Sequence, residues 1–135
     1  MRFAVAALVT AGLLCQVAFA EWQVNGRLYR KNMTNFAGQY QLYIELYQHG
    51  PIEDTRVDRV IADRDGAFKL HGDPPFLRLS DKQMLKIYNR LNFGQCRVKT
   101  LYGNPGFTDN LRIDVMYGSK GEPDDSKCPT RKYWT

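Results

Sequence analysis

Apolar and polar residues alternate along this chain in short runs of period two, and turn-forming residues separate the runs. The clearest run spans residues 40–48, YQLYIELYQ. Extended, it places Tyr40, Leu42, Ile44 and Leu46 on one side and Gln41, Tyr43, Glu45 and Tyr47 on the other. A helix would scatter that segregation around its circumference. Weaker runs of the same kind cover 22–29, 55–63, 67–72, 84–89, 95–102 and 110–117. The pattern predicts an all-β domain of about seven strands, a number and spacing that fit a two-sheet Greek-key β-sandwich.

The residues between the runs say where the chain turns. Asp65-Gly66 supplies the positive φ of a tight hairpin between the third and fourth runs. Pro74 and Pro75 forbid a central strand in the longer connection that follows. Residues 119–135 lose the alternation and are rich in turn formers, which predicts a C-terminal strap or tail following a sandwich domain over 21–118. Before that domain, Arg2 opens a largely apolar stretch that closes on Ala18-Phe19-Ala20. A basic start, an apolar centre and a small-x-small end are the features of an export signal peptide over 1–20, which implies a secreted, extracellular protein and no integral membrane segment.

Charge and cysteine content add to this picture. The chain has 135 residues, 19 Lys plus Arg and 14 Asp plus Glu, for a formal charge of +5. Past the leader the excess is uneven: residues 21–75 hold 7 basic and 8 acidic side chains, residues 76–135 hold 11 and 6. Attraction to an anionic partner is therefore expected from the C-terminal half, although Lys86, Arg90, Arg97 and Lys99 also suit an ordinary solvated sheet face. The basic residues are not interleaved with aromatics along one set of strands, so nucleic acid is not an expected partner. Once Cys15 leaves with the leader, Cys96 and Cys128 remain, either bridged to each other or paired between subunits.

The order Trp22-x-Val24-x-Gly26-x-Leu28, LYIELYQ, ADRDGAFKLHG, MLKIYN and Gln95-Cys96-Arg97-Val98-Lys99 resembles the nematode transthyretin-like family of secreted proteins. The resemblance implies an immunoglobulin/transthyretin-like sandwich with no cofactor. Family members usually carry a cysteine shortly after the Ile-Tyr of the fifth strand, whereas Leu91 occupies that neighbourhood here. Within the resemblance, Cys128 is the substitute partner for Cys96.

Reactive constellations are sparse. His49 and His71 are the only histidines, and Ser80, Ser119 and Ser126 offer few ways to build a nucleophile-base pair, so no catalytic residue is nominated. Tyr117-Gly118-Ser119 is a superficial echo of the terminal motif of urate-pathway hydrolases that share the transthyretin fold. Asp63, Asp65, His71 and Asp73 lack the spacing of a calcium loop and are read as turn residues, so no metal ligand is nominated. Asn32-Met33-Thr34 is a glycosylation sequon in an expected surface loop.

The expected surface feature is an outward aromatic face of Tyr43, Tyr47 and Tyr88, flanked by Lys86, Arg97 and Lys99, unless those rings lie flat against basic stems. Together these observations point to a non-catalytic extracellular binding module for a protein or an anionic cell surface. The alternative is an oligomer that carries a small apolar ligand at its subunit interface.

Overall fold

The computed structural model describes residues 21–74, 82–103 and 106–134. The leader, Pro75 and Ser80 lie outside the described residues. The fold is all-β, two sheets packed face to face: β1 (Trp22–Tyr29), β2 (Tyr43–His49), β3 (Asp54–Ile61), β4 (Ala67–Gly72), β5 (Gln83–Asn92), β6 (Gln95–Gly103), β7 (Leu111–Asp114) and β8 (Lys120–Gly121). One sheet has the order β4-β1-β7, the other β3-β2-β5-β6-β8. β2–β3 and β5–β6 are antiparallel neighbours within the larger sheet. The remaining connections pass from one sheet to the other, in Greek-key fashion.

The alternation in β2 sets the core. Leu42, Ile44 and Leu46 are fully buried and meet Leu85 and Ile87 of β5, Val24 and Leu28 of β1, Phe68 and Leu70 of β4 and Ile113 of β7. Each such side chain contributes about 1.5–3 kcal/mol through water removed from its surface. Tyr40 does not join this side. It is half-buried beneath Lys132, whose Nζ lies 5.2 Å from its ring centroid, because the backbone there bridges to the tail.

The Asp63–Gly66 turn also differs from the expected hairpin. Its Gly66 adopts φ +84 and its Asp63 N–H donates to Ala67 O at 2.8 Å, but β3 and β4 belong to different sheets, so the turn is a corner between layers. The Gly66 carbonyl accepts the Leu28 N–H at 2.8 Å. A Cβ at Gly66 would stand 2.2 Å from Leu28 O, which excludes any side chain at this corner.

The segment after residue 118 is built into the sandwich. β8 pairs with β6, giving eight strands among the described residues where about seven are expected. A 3-10 turn at Asp125–Lys127 then leads to Cys128, which is bonded to Cys96 with Cα atoms 5.6 Å apart. Beyond it, Gln41 N–H donates to Arg131 O at 2.8 Å and Tyr133 N–H to Gln39 O at 2.9 Å. Tyr133 enters the core, and its hydroxyl accepts from Leu42 N–H at 3.1 Å and donates to Ala62 O at 2.6 Å. The tail thus crosses the larger sheet and ends as a plug between the start of β2 and the end of β3.

Cutting the bridge tests how much of this depends on it. With 32 residues of separation, chain-entropy arithmetic gives about 3.5 kcal/mol for the cross-link. The Cys96→Ser, Cys128→Ser double variant should lose about that much stability in urea denaturation, with a loss below about 1 kcal/mol showing that the tail holds without it.

Candidate functional site

The outer face of the larger sheet carries a cluster assembled by the other half of the β2 alternation. Tyr43, Glu45 and Tyr47 project there, beside Tyr88 and Lys86 of β5. Glu45 is only 1% exposed, an unusual position for a carboxylate on an outer face. Its Oε2 accepts the Tyr43 hydroxyl at 3.2 Å and an Arg56 guanidinium N–H at 3.3 Å, while Oε1 has no hydrogen bond. A register shift between β2 and β3 makes this possible: Leu46 pairs with Asp58 but Tyr47 with Arg56, so Val57 is the extra residue of a bulge. The bulge re-aims the strand and brings Arg56 and Arg59 to the same face, flanking Glu45.

Tyr43 stacks on Tyr88, centroids 5.6 Å apart at 27°, and Lys86 Nζ lies 5.3 Å from the Tyr47 centroid. Burial, then the nearby Glu45 charge, hold the phenols in their neutral form: Tyr43 is raised, Tyr47 is raised to about 12, and Tyr88 is raised furthest.

This arrangement corrects the expected aromatic face in two respects. Tyr88 is buried, because the Cys96–Cys128 bridge lies directly over it. Arg97 and Lys99 belong to the opposite side of β6. The register between β5 and β6 slips by one residue between Asn89 and Asn92, so Lys86 pairs with Thr100 and Tyr88 with Val98. One residue of slip exchanges the two faces of a strand. Arg97 therefore donates to Ser119 Oγ at 3.0 Å, and Lys99 Nζ donates to Asp114 O at 2.6 Å, its pKa lowered by burial. Both hold the 114–119 segment, where Lys99 Nζ also lies 5.7 Å from the Tyr117 ring centroid, and both are on the side of β6 away from Tyr43, Tyr47 and Tyr88.

The tail forms the far wall of the cluster. Arg90, whose side chain is 8% exposed, donates to Asp125 Oδ1 at 2.8 Å, to Asp125 O at 2.8 Å, to Cys128 O at 3.2 Å and to Pro129 O at 3.1 Å. The hydrogen bonds from Arg90 lower the pKa of the Asp125 carboxyl. Between tail and sheet runs an open cleft of about 420 Å³, lined by Tyr43, Arg56, Arg59, Asp124, Lys127 and Pro129 with Glu45 at its floor. Neither Arg59 nor Lys127 forms an ion pair among the described residues, and both are exposed.

The other candidates are separate. His49 Nδ1 lies 2.7 Å from Asp54 Oδ1 and its ring meets Tyr102 edge-on, while His71 Nδ1 lies 2.6 Å from Glu21 Oε1. The Ser126 hydroxyl donates to Asp124 Oδ1. Asp65 is engaged in its turn through Ala67 N–H at 3.1 Å. Asn32 is exposed in a two-residue turn closed by Arg30 and Met33. The sequence reading missed Glu45, Arg56, Arg59 and Lys127. Tyr-x-Glu-x-Tyr was the available signal, since alternation alone puts that carboxylate between two rings.

No family model matches the chain, and no curated protein matches it. Among solved structures, a 9R-lipoxygenase from Cyanothece PCC8801 is similar at 12% identity and TM-score 0.46, over 76% of this chain and 17% of that one. The chain spans a small part of that protein, and a likeness of this degree carries no functional inference.

Two outcomes follow from the cluster. Glu45→Gln should lower stability by about 1–3 kcal/mol in urea denaturation, since it removes the charge that Arg56 and the Tyr43 hydroxyl address. The second concerns alkali. Unfolded phenols ionise near pH 10, whereas Tyr47 stays neutral in the fold to about 12, so stability is intact below pH 10 and is lost as pH rises through that window. An ultraviolet phenolate titration should therefore show these tyrosines ionising last and together with unfolding; early, independent ionisation would contradict the burial.

Proposed function

We propose that the chain is an exported, non-catalytic binding module of the transthyretin-like kind, and that an extracellular protein partner docks an acidic group into the cleft between the tail and β2–β3. The observation that carries this reading is a pair of exposed cations, Arg59 and Lys127, neither in an ion pair among the described residues, in an open cleft that also holds Arg56 and Asp124 and has Glu45 at its floor. Tyr43 supplies a ring whose hydroxyl is fixed by Glu45, so its position costs little to maintain on binding. The leader pattern over residues 1–20, the intrachain disulfide and the exposed Asn32 sequon support export. Among the described residues no helix is long and apolar enough to cross a membrane.

Two measurements test this. Produced in a secreting eukaryotic cell, the protein should appear in the medium beginning at Glu21 and shift in mobility on glycan removal; retention in the cytosol would refute export. Captured on beads from extracellular fluid, an Arg59→Glu, Lys127→Glu variant that melts like the parent should retain its partner about tenfold less well or worse. Equal recovery by both proteins would remove the cleft from the reading.

A further inference from the structure

The two outer faces of the sandwich are unlike each other. The larger sheet is crossed by the tail, whereas the three-stranded sheet turns outward an uncovered row of exposed side chains: Gln23, Arg27, Lys69, His71 and Arg112. Arg27 and Arg112 are direct partners in the parallel β1–β7 pair, and Lys69 stands opposite Asn25, two residues from Arg27 on β1. Strand spacing and rise place these three cations on the order of 5 to 12 Å apart. Like charges set opposite each other in a sheet are destabilising, so this placement is unfavourable for folding alone.

The cations rim an open groove of about 690 Å³. Gly26 and Ala67 line it between the cations, and Val60, Ile61 and Asp63 border it on the side of β3. Asn25 and the exposed Asn110 add neutral polar groups at one end, joined by Asn110 N–H donating to Asn25 Oδ1 at 3.0 Å. A smaller depression of about 280 Å³ continues past Lys69 to His71. Three carboxylates stand near these cations: Asp63 in the groove lining, Glu21 at 2.6 Å from His71, and Asp65 beside Arg27. Arg27 meets Asp65 at 3.4 Å with both side chains more than half exposed, a surface pair of about 0–1 kcal/mol that a stronger anion displaces. Arg112 lies over the Tyr29 ring at 5.8 Å, which leaves its N–H groups open.

From these features we infer that the outer face of the three-stranded sheet binds a sulfated polysaccharide chain. A long, open groove with cations on both rims suits a flexible polymer that carries several anions, more than a single point charge. Of the exposed large apolar residues only Ile61 borders the groove, while the most exposed, Phe93, Tyr117, Trp134 and Ile52, are not part of its lining. The inference is independent of the cleft, which lies on the other sheet.

The test uses the secreted chain with a heparin oligosaccharide as probe, and with hyaluronan and poly-glutamate as unsulfated and peptide controls. Heparin should bind in preference to both, with affinity falling steeply as salt rises. The Arg27→Gln, Lys69→Gln, Arg112→Gln variant should bind about tenfold less well or worse, with a salt slope shallower by about 2 to 3, whereas Arg59→Glu, Lys127→Glu should bind heparin much as the parent does. Bound heparin should also protect the Lys69 amine of the unmutated protein from acetylation more than that of Lys127, a readout that needs no variant to fold. Undiminished binding by the triple variant, an equal loss in the cleft variant, poly-glutamate binding as tightly as heparin, absent heparin binding, or no protection of Lys69 would each overturn the assignment.

Discussion

A carboxylate taken out of water at the centre of an outer sheet face must be satisfied by its neighbours, and much of this molecule is arranged around that need at Glu45. The β2–β3 bulge delivers Arg56 to it, the Tyr43 hydroxyl donates to it, and the rings of Tyr43, Tyr47 and Tyr88 close over it. β2 is shielded on both faces: aliphatic residues below, and above a charged and aromatic cluster in which Glu45 is buried and Tyr43 and Tyr47 are half-buried. The upper layer is thus a second, polar core, and its geometry follows from one residue.

The tail is the roof of that second core. Its disulfide lies over Tyr88, its Asp125 and the carbonyls of Asp125, Cys128 and Pro129 converge on Arg90, and its Tyr133 bridges Leu42 and Ala62 at the end of the β2–β3 pair. Nonpolar, covalent and hydrogen-bonded ties are spread over some ten residues, so loss of any one leaves the strap partly held. An isolated salt bridge such as Arg27–Asp65, exposed on both sides, has no such support.

The layer architecture was legible in the sequence because it rests on the two-residue period. Leu42, Ile44 and Leu46 occupy the interior that their spacing implies, and the seven alternating runs correspond to β1 through β7. The candidate site was legible only in part. Parity puts Tyr88 on the outer face but cannot say that the tail will cover it, since that depends on a contact with Cys128 forty residues away. Arg97 and Lys99 were misplaced for a sharper reason. The two-residue Phe93-Gly94 tip would pair Tyr88 with Lys99, and a single extra residue between Asn89 and Asn92 moves Val98 into that place. Tertiary packing decides such a slip, and local propensity does not record it. β8 and the Tyr133 plug escaped because the tail has too few alternating residues to show a period.

The same register slip also redistributes charge. Arg97 and Lys99 are drawn into hydrogen bonds with the 114–119 segment and Arg90 is held by Asp125, so three cations of the C-terminal half are engaged inside the fold, while Arg112, Lys120, Lys127, Arg131 and Lys132 stay exposed. Exposed cations come from both halves of the chain, among them Arg59 and Lys127 at the cleft and Arg27, Lys69 and Arg112 on the opposite sheet. Net charge by segment therefore does not say which face of the sandwich carries the charge. A cation on a strand contributes to recognition only if its face is open and no carbonyl claims it, and both conditions are set by how the sheets are covered.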